Sequence, residues 1–133
     1  MFEFDENTLD QFAKIKVIGA GKDGLNAINH MIDSGLEGVE FIALDTDAQS
    51  LSSSKSKNKI LIDSTGPEKI FQSLKPFDAI FIVAGLDNST GANVAPGIAK
   101  FAKASGSLTI AQIVLYEDTS SEQLDELKNN VDA

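Results

Sequence analysis

Residues 14–27 read Lys-Ile-Lys-Val-Ile-Gly-Ala-Gly-Lys-Asp-Gly-Leu-Asn-Ala, a β-branched apolar run that breaks into glycines and then into an amphipathic stretch. The order strand, tight turn, helix follows, because a buried strand needs consecutive apolar residues and the reversal needs the backbone freedom of glycine. Gly19, Gly21 and Gly24 fit the spacing G-x-G-x-x-G, and Asp45 lies about 20 residues further on, which is the general form of a dinucleotide fingerprint. A helix N-terminus behind such a turn offers a phosphate unpaired N–H groups and the positive end of a dipole. The same glycines also suit a turn that needs them only for its backbone angles. Asp23 sets a carboxylate inside the loop, with Lys22 beside it to offset the charge.

The rest of the chain repeats the alternation. Residues 1–13 read as a short helical lead-in, with Leu9, Phe12 and Ala13 at helical spacing. Leu25, Ile28, Met31 and Ile32 give the helix after the glycine turn an apolar face, and Gly35 is placed to stop it. Residues 39–44 form a second strand ending in Asp45-Thr46-Asp47, a polar triplet on the edge where open α/β sheets bind ligands and equally an N-cap for a helical turn over 48–52. A short third strand spans 59–62. Pro67 suits the first position of a helix that buries Ile70, Phe71 and Leu74 and ends at Pro76. Residues 78–84 make the central strand, followed by a polar loop over 85–91 and a helix carrying Val94, Ile98, Phe101 and Ala102, with Pro96 expected near its first turn. A fifth strand covers 108–114. Thr119-Ser120-Ser121-Glu122 caps a last helix to about residue 130, with Leu124 and Leu127 facing inward. Such alternation predicts an α/β fold: a doubly wound, mainly parallel, Rossmann-like sheet of strand order 3-2-1-4-5 with right-handed crossovers. The loops after the first and fourth strands then meet at the switch point, which brings Gly21, Gly24, Thr90 and Gly91 together.

At 133 residues the expectation is a single domain, 1–133, with a core of ordinary size. A formal charge of −9 argues against nucleic acid and anionic lipid as partners. The one basic cluster, Lys55, Lys57 and Lys59 among serines, reads as a solvated loop. The absence of cysteine removes thiolate metal sites and a cysteine nucleophile, and His30 alone makes no histidine-rich zinc site. No apolar run reaches the roughly 20 residues of a membrane span, and the acidic start does not resemble a signal peptide, so a cytoplasmic protein is expected. No Ser/His/Asp triad or paired-carboxylate site can be placed; the nearest approach to one is Asp23 facing Asp87 across the crevice.

Phe12-Ala13-Lys14-Ile15-Lys16-Val17-Ile18-Gly19, residues 26–43, Thr46-Asp47-Ala48-Gln49-Ser50-Leu51, Phe81-Ile82-Val83-Ala84-Gly85, Ala95-Pro96 and Ile98-Ala99-Lys100 resemble the amino-terminal nucleotide-binding domain of the FtsZ/tubulin family, on its bacterial FtsZ branch. The resemblance implies a GTP or GDP site at Gly19, Gly21, Lys22, Gly24, Asn26, Asp45, Thr46, Thr90 and Gly91, with Asn26 at the position that contacts guanine. It also carries departures. The family's glycine run is interrupted here by Lys22, Asp23 and Leu25, and its second signature, G-G-G-T-G-T-G, falls on Asp87-Asn88-Ser89-Thr90-Gly91-Ala92-Asn93 and keeps only Thr90 and Gly91. The ribose-contacting Glu and Arg of the family fall on Ser120 and Leu124, and the loop that reaches the terminal phosphate is reduced to residues 63–67.

A carboxylate and added side chains where backbone amides wrap phosphate repel it and hold it away. The resemblance, which stops before the family's central helix and second domain, therefore implies a divergent FtsZ-like domain with GTP binding weakened or lost and no GTPase activity of its own. Its expected role is accessory or regulatory in cell division, with full-length FtsZ, other division proteins or a second copy as partner. Two alternatives stand beside it: a retained GTP/GDP-binding module, and an NAD-type binder that uses Asp45 on a ribose.

Overall fold

The computed structural model describes residues 14–62, 67–86, 90–116 and 119–133. Five strands, β1 (Ile15–Ala20), β2 (Glu40–Asp45), β3 (Asn58–Leu61), β4 (Ala79–Leu86) and β5 (Leu108–Leu115), form one sheet in the order β3-β2-β1-β4-β5, and every neighbouring pair is parallel. Between them run α1 (Gly21–Asp33), α2 (Ala48–Ser52), α3 (Pro67–Ser73) and α4 (Thr90–Ala104), and α5 (Ser121–Lys128) follows β5. The doubly wound α/β sheet and its strand order are those the alternation predicts. The lead-in helix expected over 1–13 lies outside the described residues.

The apolar runs of the central strands feed two cores, as both faces of a parallel sheet must be covered. On one face Ile18, Ile42, Ile80 and Ile82 pack with Ile98, Ala102 and Leu127 of the flanking helices and with Leu74, just after α3. On the other, Val17, Ala43 and Val83 meet Leu25 and Ile28 of α1 and Leu51 of α2. The crossover at β1 and β4 thus sends α1 and α4 to opposite faces, and their starts to the same edge.

Local signals set the ends of several elements. Gly35 has φ +80° and closes α1 through paired bonds, Gly35 N–H to the Ile32 carbonyl at 3.0 Å and Leu36 N–H to that of Met31 at 3.3 Å. Asp47 caps α2, its carboxylate accepting from Gln49 N–H and from the Ser50 hydroxyl, both at 3.0 Å. Asp47→Ala is expected to cost about 1 kcal/mol, the usual worth of an N-cap, read as a lower urea midpoint at unchanged slope.

Three expectations are corrected. β4 runs on through Gly85 and Leu86 instead of ending at Ala84, because Leu86 is fully buried and β5 continues beside it to Leu115. Pro96 is the seventh residue of α4, beyond the first turn, and it is buried, so packing rather than a position in the first turn accommodates it. Thr119 does not cap α5. Its hydroxyl donates to the Leu86 carbonyl at 2.5 Å and accepts from Tyr116 N–H at 2.9 Å, while Ser120 supplies the first carbonyl of the helix. Beyond α5 the chain returns to the outer edge of β5, where Asp132 N–H donates to Thr109 O at 2.7 Å and Ala111 N–H to Ala133 O at 2.9 Å.

Candidate functional site

The switch point lies where β1 and β4 run side by side and their helices depart in opposite directions, which is where open parallel sheets hold their ligands. There is no separate loop between β1 and α1: the helix begins at Gly21, directly after Ala20, so Lys22, Asp23 and Gly24 form its first turn. Ala20 provides no side-chain cap, and Asp23 is the acidic residue of that turn, favourably placed against the dipole. The helix end that would face an anion thus carries a carboxylate of its own.

The fingerprint glycines divide into two jobs. Gly21 takes φ +74°, the left-handed region that favours glycine. Gly19 and Gly24 serve close packing of helix on strand. A Cβ on Gly19 would stand 2.5 Å from the Gly24 carbonyl oxygen and 2.9 Å from Ile28, and one on Gly24 would run into the Val83 carbonyl oxygen. This fixes α1 tightly across β1 and β4.

The Asp23 carboxylate accepts a hydrogen bond from the Tyr116 hydroxyl. Both groups lie over Gly85, near the carboxyl end of β4: a Cβ there would strike the Asp23 carboxylate and come within 3.1 Å of the Tyr116 ring. Residues from the first turn of α1 and from the end of β5 thus meet across the crevice on bare backbone. Thr119 fastens Tyr116 from behind through the two bonds given above. Asp87, expected opposite Asp23, lies outside the described residues.

The other site residues scatter around this closure. Lys22 and Asn26 are exposed on α1. Thr90 and Gly91 open α4, as the topology requires, at the same edge as Gly21 and Gly24. Asp45 is buried, 7% exposed, with Oδ1 accepting from Thr46 N–H at 2.7 Å and Asp47 N–H at 3.3 Å, so that oxygen is spent on shaping its own turn. Among the described residues no three carboxylates or imidazoles come together as a metal site, and no helix is long and apolar enough to cross a membrane. Two depressions, of about 420 and 350 Å³, open at the opposite, amino-terminal edge of the sheet, where Lys55 pairs with Asp33 at 2.6 Å and Lys16 with Glu40 at 3.5 Å. Lys57 lines both of them and Lys59 the second, and they lie away from the switch point where open α/β sheets hold ligands.

Sequence reasoning did not single out Tyr116. Its signal was available: a phenol directly after a strand's apolar run, on the carboxyl edge of the sheet, and the only tyrosine in the chain.

These features define an open, doubly wound parallel domain with its crevice between the first and fourth strands. Within that class the chain is FtsZ/tubulin-like, a resemblance that comparison with solved structures bears out. It is similar to a point mutant of FtsZ from M. jannaschii, with 30% identity and a TM-score of 0.82 over 96% of this chain and 47% of that one. An FtsZ dimer from M. jannaschii, described as empty, matches at 30% identity and a TM-score of 0.80, covering 96% of this chain and 45% of that one. CetZ from Methanosaeta thermophila shares the fold, with a TM-score of 0.70 at 18% identity, over 89% of this chain and 43% of that one. The chain therefore spans less than half the length of each of these three. No protein-family model matches it.

Proposed function

We propose that this chain is an FtsZ-like domain that acts through protein contact in cell division, as an accessory or regulatory module, with guanine-nucleotide binding weakened or lost. The observation that carries the reading is the Asp23 carboxylate in the first turn of α1, held over Gly85 in the switch-point crevice. A diphosphate brought there meets a like charge where open backbone amides would otherwise bind it, which weakens its binding. Likeness to FtsZ over nearly the whole chain supports the family of partners. By the same resemblance the face that carries this crevice would meet an FtsZ subunit, and the chain would there occupy one filament end. GTP turnover is not expected of the chain by itself.

Two measurements test the proposal. Calorimetry of the purified protein with GDP is expected to show no saturable heat below millimolar nucleotide; binding at micromolar concentration would favour the retained-nucleotide alternative. Co-sedimentation with polymerising FtsZ from the same organism is expected to reduce pelleted polymer, and unchanged polymer mass and length would remove the capping role.

A further inference from the structure

The lysine cluster at Lys55, Lys57 and Lys59 stands at the edge of the sheet opposite the crevice, beside the two depressions. The larger depression, about 420 Å³, is lined by Ile32 of α1, by Leu36 beyond its end and by Val39 and Phe41 at the start of β2. Leu36 is 49% exposed and the other three are only partly buried, so an apolar wall faces outward here. The charges around it are unequal. Lys55 is spent on Asp33 at 2.6 Å, and Glu40 takes Lys16 at 3.5 Å on one oxygen and the Asn58 side-chain amide at 2.9 Å on the other. Among the described residues Lys57 and Lys59 have no carboxylate partner, and they outnumber Glu37, the remaining carboxylate on the wall. In a chain of formal charge −9 this is a place that draws acidic groups in.

We propose that the chain's own residues 1–13 occupy this depression, with their aromatic side chains on its apolar wall and their carboxylates toward Lys57 and Lys59. Composition is the first argument. The segment holds Phe2, Phe4 and Phe12, three of the eight phenylalanines, together with Glu3, Asp5, Glu6 and Asp10 and no basic residue. Apolar bulk with negative charge is the complement of an apolar wall rimmed by lysine. Position is the second. Lys14 is pinned to the body, its N–H donating to the Asp78 carboxylate at 2.7 Å and its carbonyl accepting from Asp78 N–H at 2.8 Å, so the segment departs at the amino-terminal end of β1. β2 and then β3 lie next to β1 there, with Lys16 opposite Glu40 and Ile42 opposite Asn58. At about 4.8 Å between strands the depression is only about 5–10 Å away, and the ten residues from Phe4 to Lys14 reach up to about 33 Å. Tethering adds the third argument: a joined segment is present at an effective concentration in the millimolar range, so even weak contacts keep the depression filled.

The test keeps the full chain. There is no cysteine, so Asn7→Cys carries a single nitroxide, which broadens the amide signals of whatever it lies near. Residues 36–41 and 55–58 are expected to lose most of their intensity. Residues 79–81 and 108–110, at the same edge and equally many strands from β1 on its other side, are expected to keep theirs. Adding Leu36→Asp, which sets a carboxylate on the exposed rim, is expected to even out the two sides while the melting temperature stays close to that of Asn7→Cys. Equal broadening on both sides without Leu36→Asp overturns the proposal, as does broadening confined to 79–81 and 108–110. An imbalance that survives Leu36→Asp overturns it as well, since the depression is then not what holds the segment. Mixing nitroxide-bearing protein with isotope-labelled protein that lacks the nitroxide is expected to leave every signal sharp; broadening of 36–41 and 55–58 in that mixture overturns the proposal by making a second copy the donor of the segment.

Discussion

Gly24→Val is expected to destabilise the fold by about 3 kcal/mol or more, at or beyond the upper end of ordinary overpacking, and so to lower the melting temperature by about 10 °C or more. The Cβ alone would meet the Val83 carbonyl oxygen, the Gly19 carbonyl carbon at 2.9 Å and the Gly19 Cα at 3.1 Å. All three are backbone atoms of β1 and β4, the two central strands of the crossover, and none can rotate away as a side chain would. Relief requires lifting the start of α1 off the sheet, which uncovers Leu25 and Ile28, both buried in the second core. Since a domain of this kind has only about 5–15 kcal/mol to lose, the variant sits near the edge of folding. Gly38→Ala is the contrast. Gly38 has φ +85° but open space around a Cβ, so its cost is only the backbone strain, about 1–2 kcal/mol. A Gly24→Val protein that melts with wild type would show that α1 is not seated on β1 and β4 as described.

That contrast also bears on what a sequence discloses. The glycine spacing announced a strand-to-helix turn correctly, and a Gly-rich turn of this kind is open to two physical explanations that the letters alone do not separate: room for a phosphate, or room for the chain's own backbone. For Gly19 and Gly24 the second holds, since each excludes a side chain because of the other. The sheet order was legible because each strand is an unbroken apolar run bounded by turn residues, and each helix a periodic one. The extension of β4 through Gly85 was not, because a glycine before polar residues reads locally as a loop and only pairing with Val114 shows it as strand. The contact between Asp23 and Tyr116 was hidden for a related reason. Asp23 and Tyr116 are 93 positions apart, and their meeting depends on the registers of β1, β4 and β5 together, which no local pattern encodes. Asp23 was noticed as a misplaced charge; that the chain answers it with a phenol could be seen only in three dimensions.

The second large effect falls on the platform beneath the crevice. Ile82→Ala is expected to cost about 2–5 kcal/mol, the range for emptying a closed core, read as a drop in urea midpoint with no change in slope. Ile82 is fully buried on β4, paired in register with Ile18 on one side and Ala111 on the other, and it faces the larger core. The cavity it leaves is bounded by neighbouring strands that cannot close up without breaking the ladder, so the cost should fall in the upper half of that range. Val114→Ala provides the scale. It also truncates a strand residue to Ala, by two carbons rather than three, but Val114 is 46% exposed on edge strand β5, and the change should stay within about 0.5 kcal/mol of wild type.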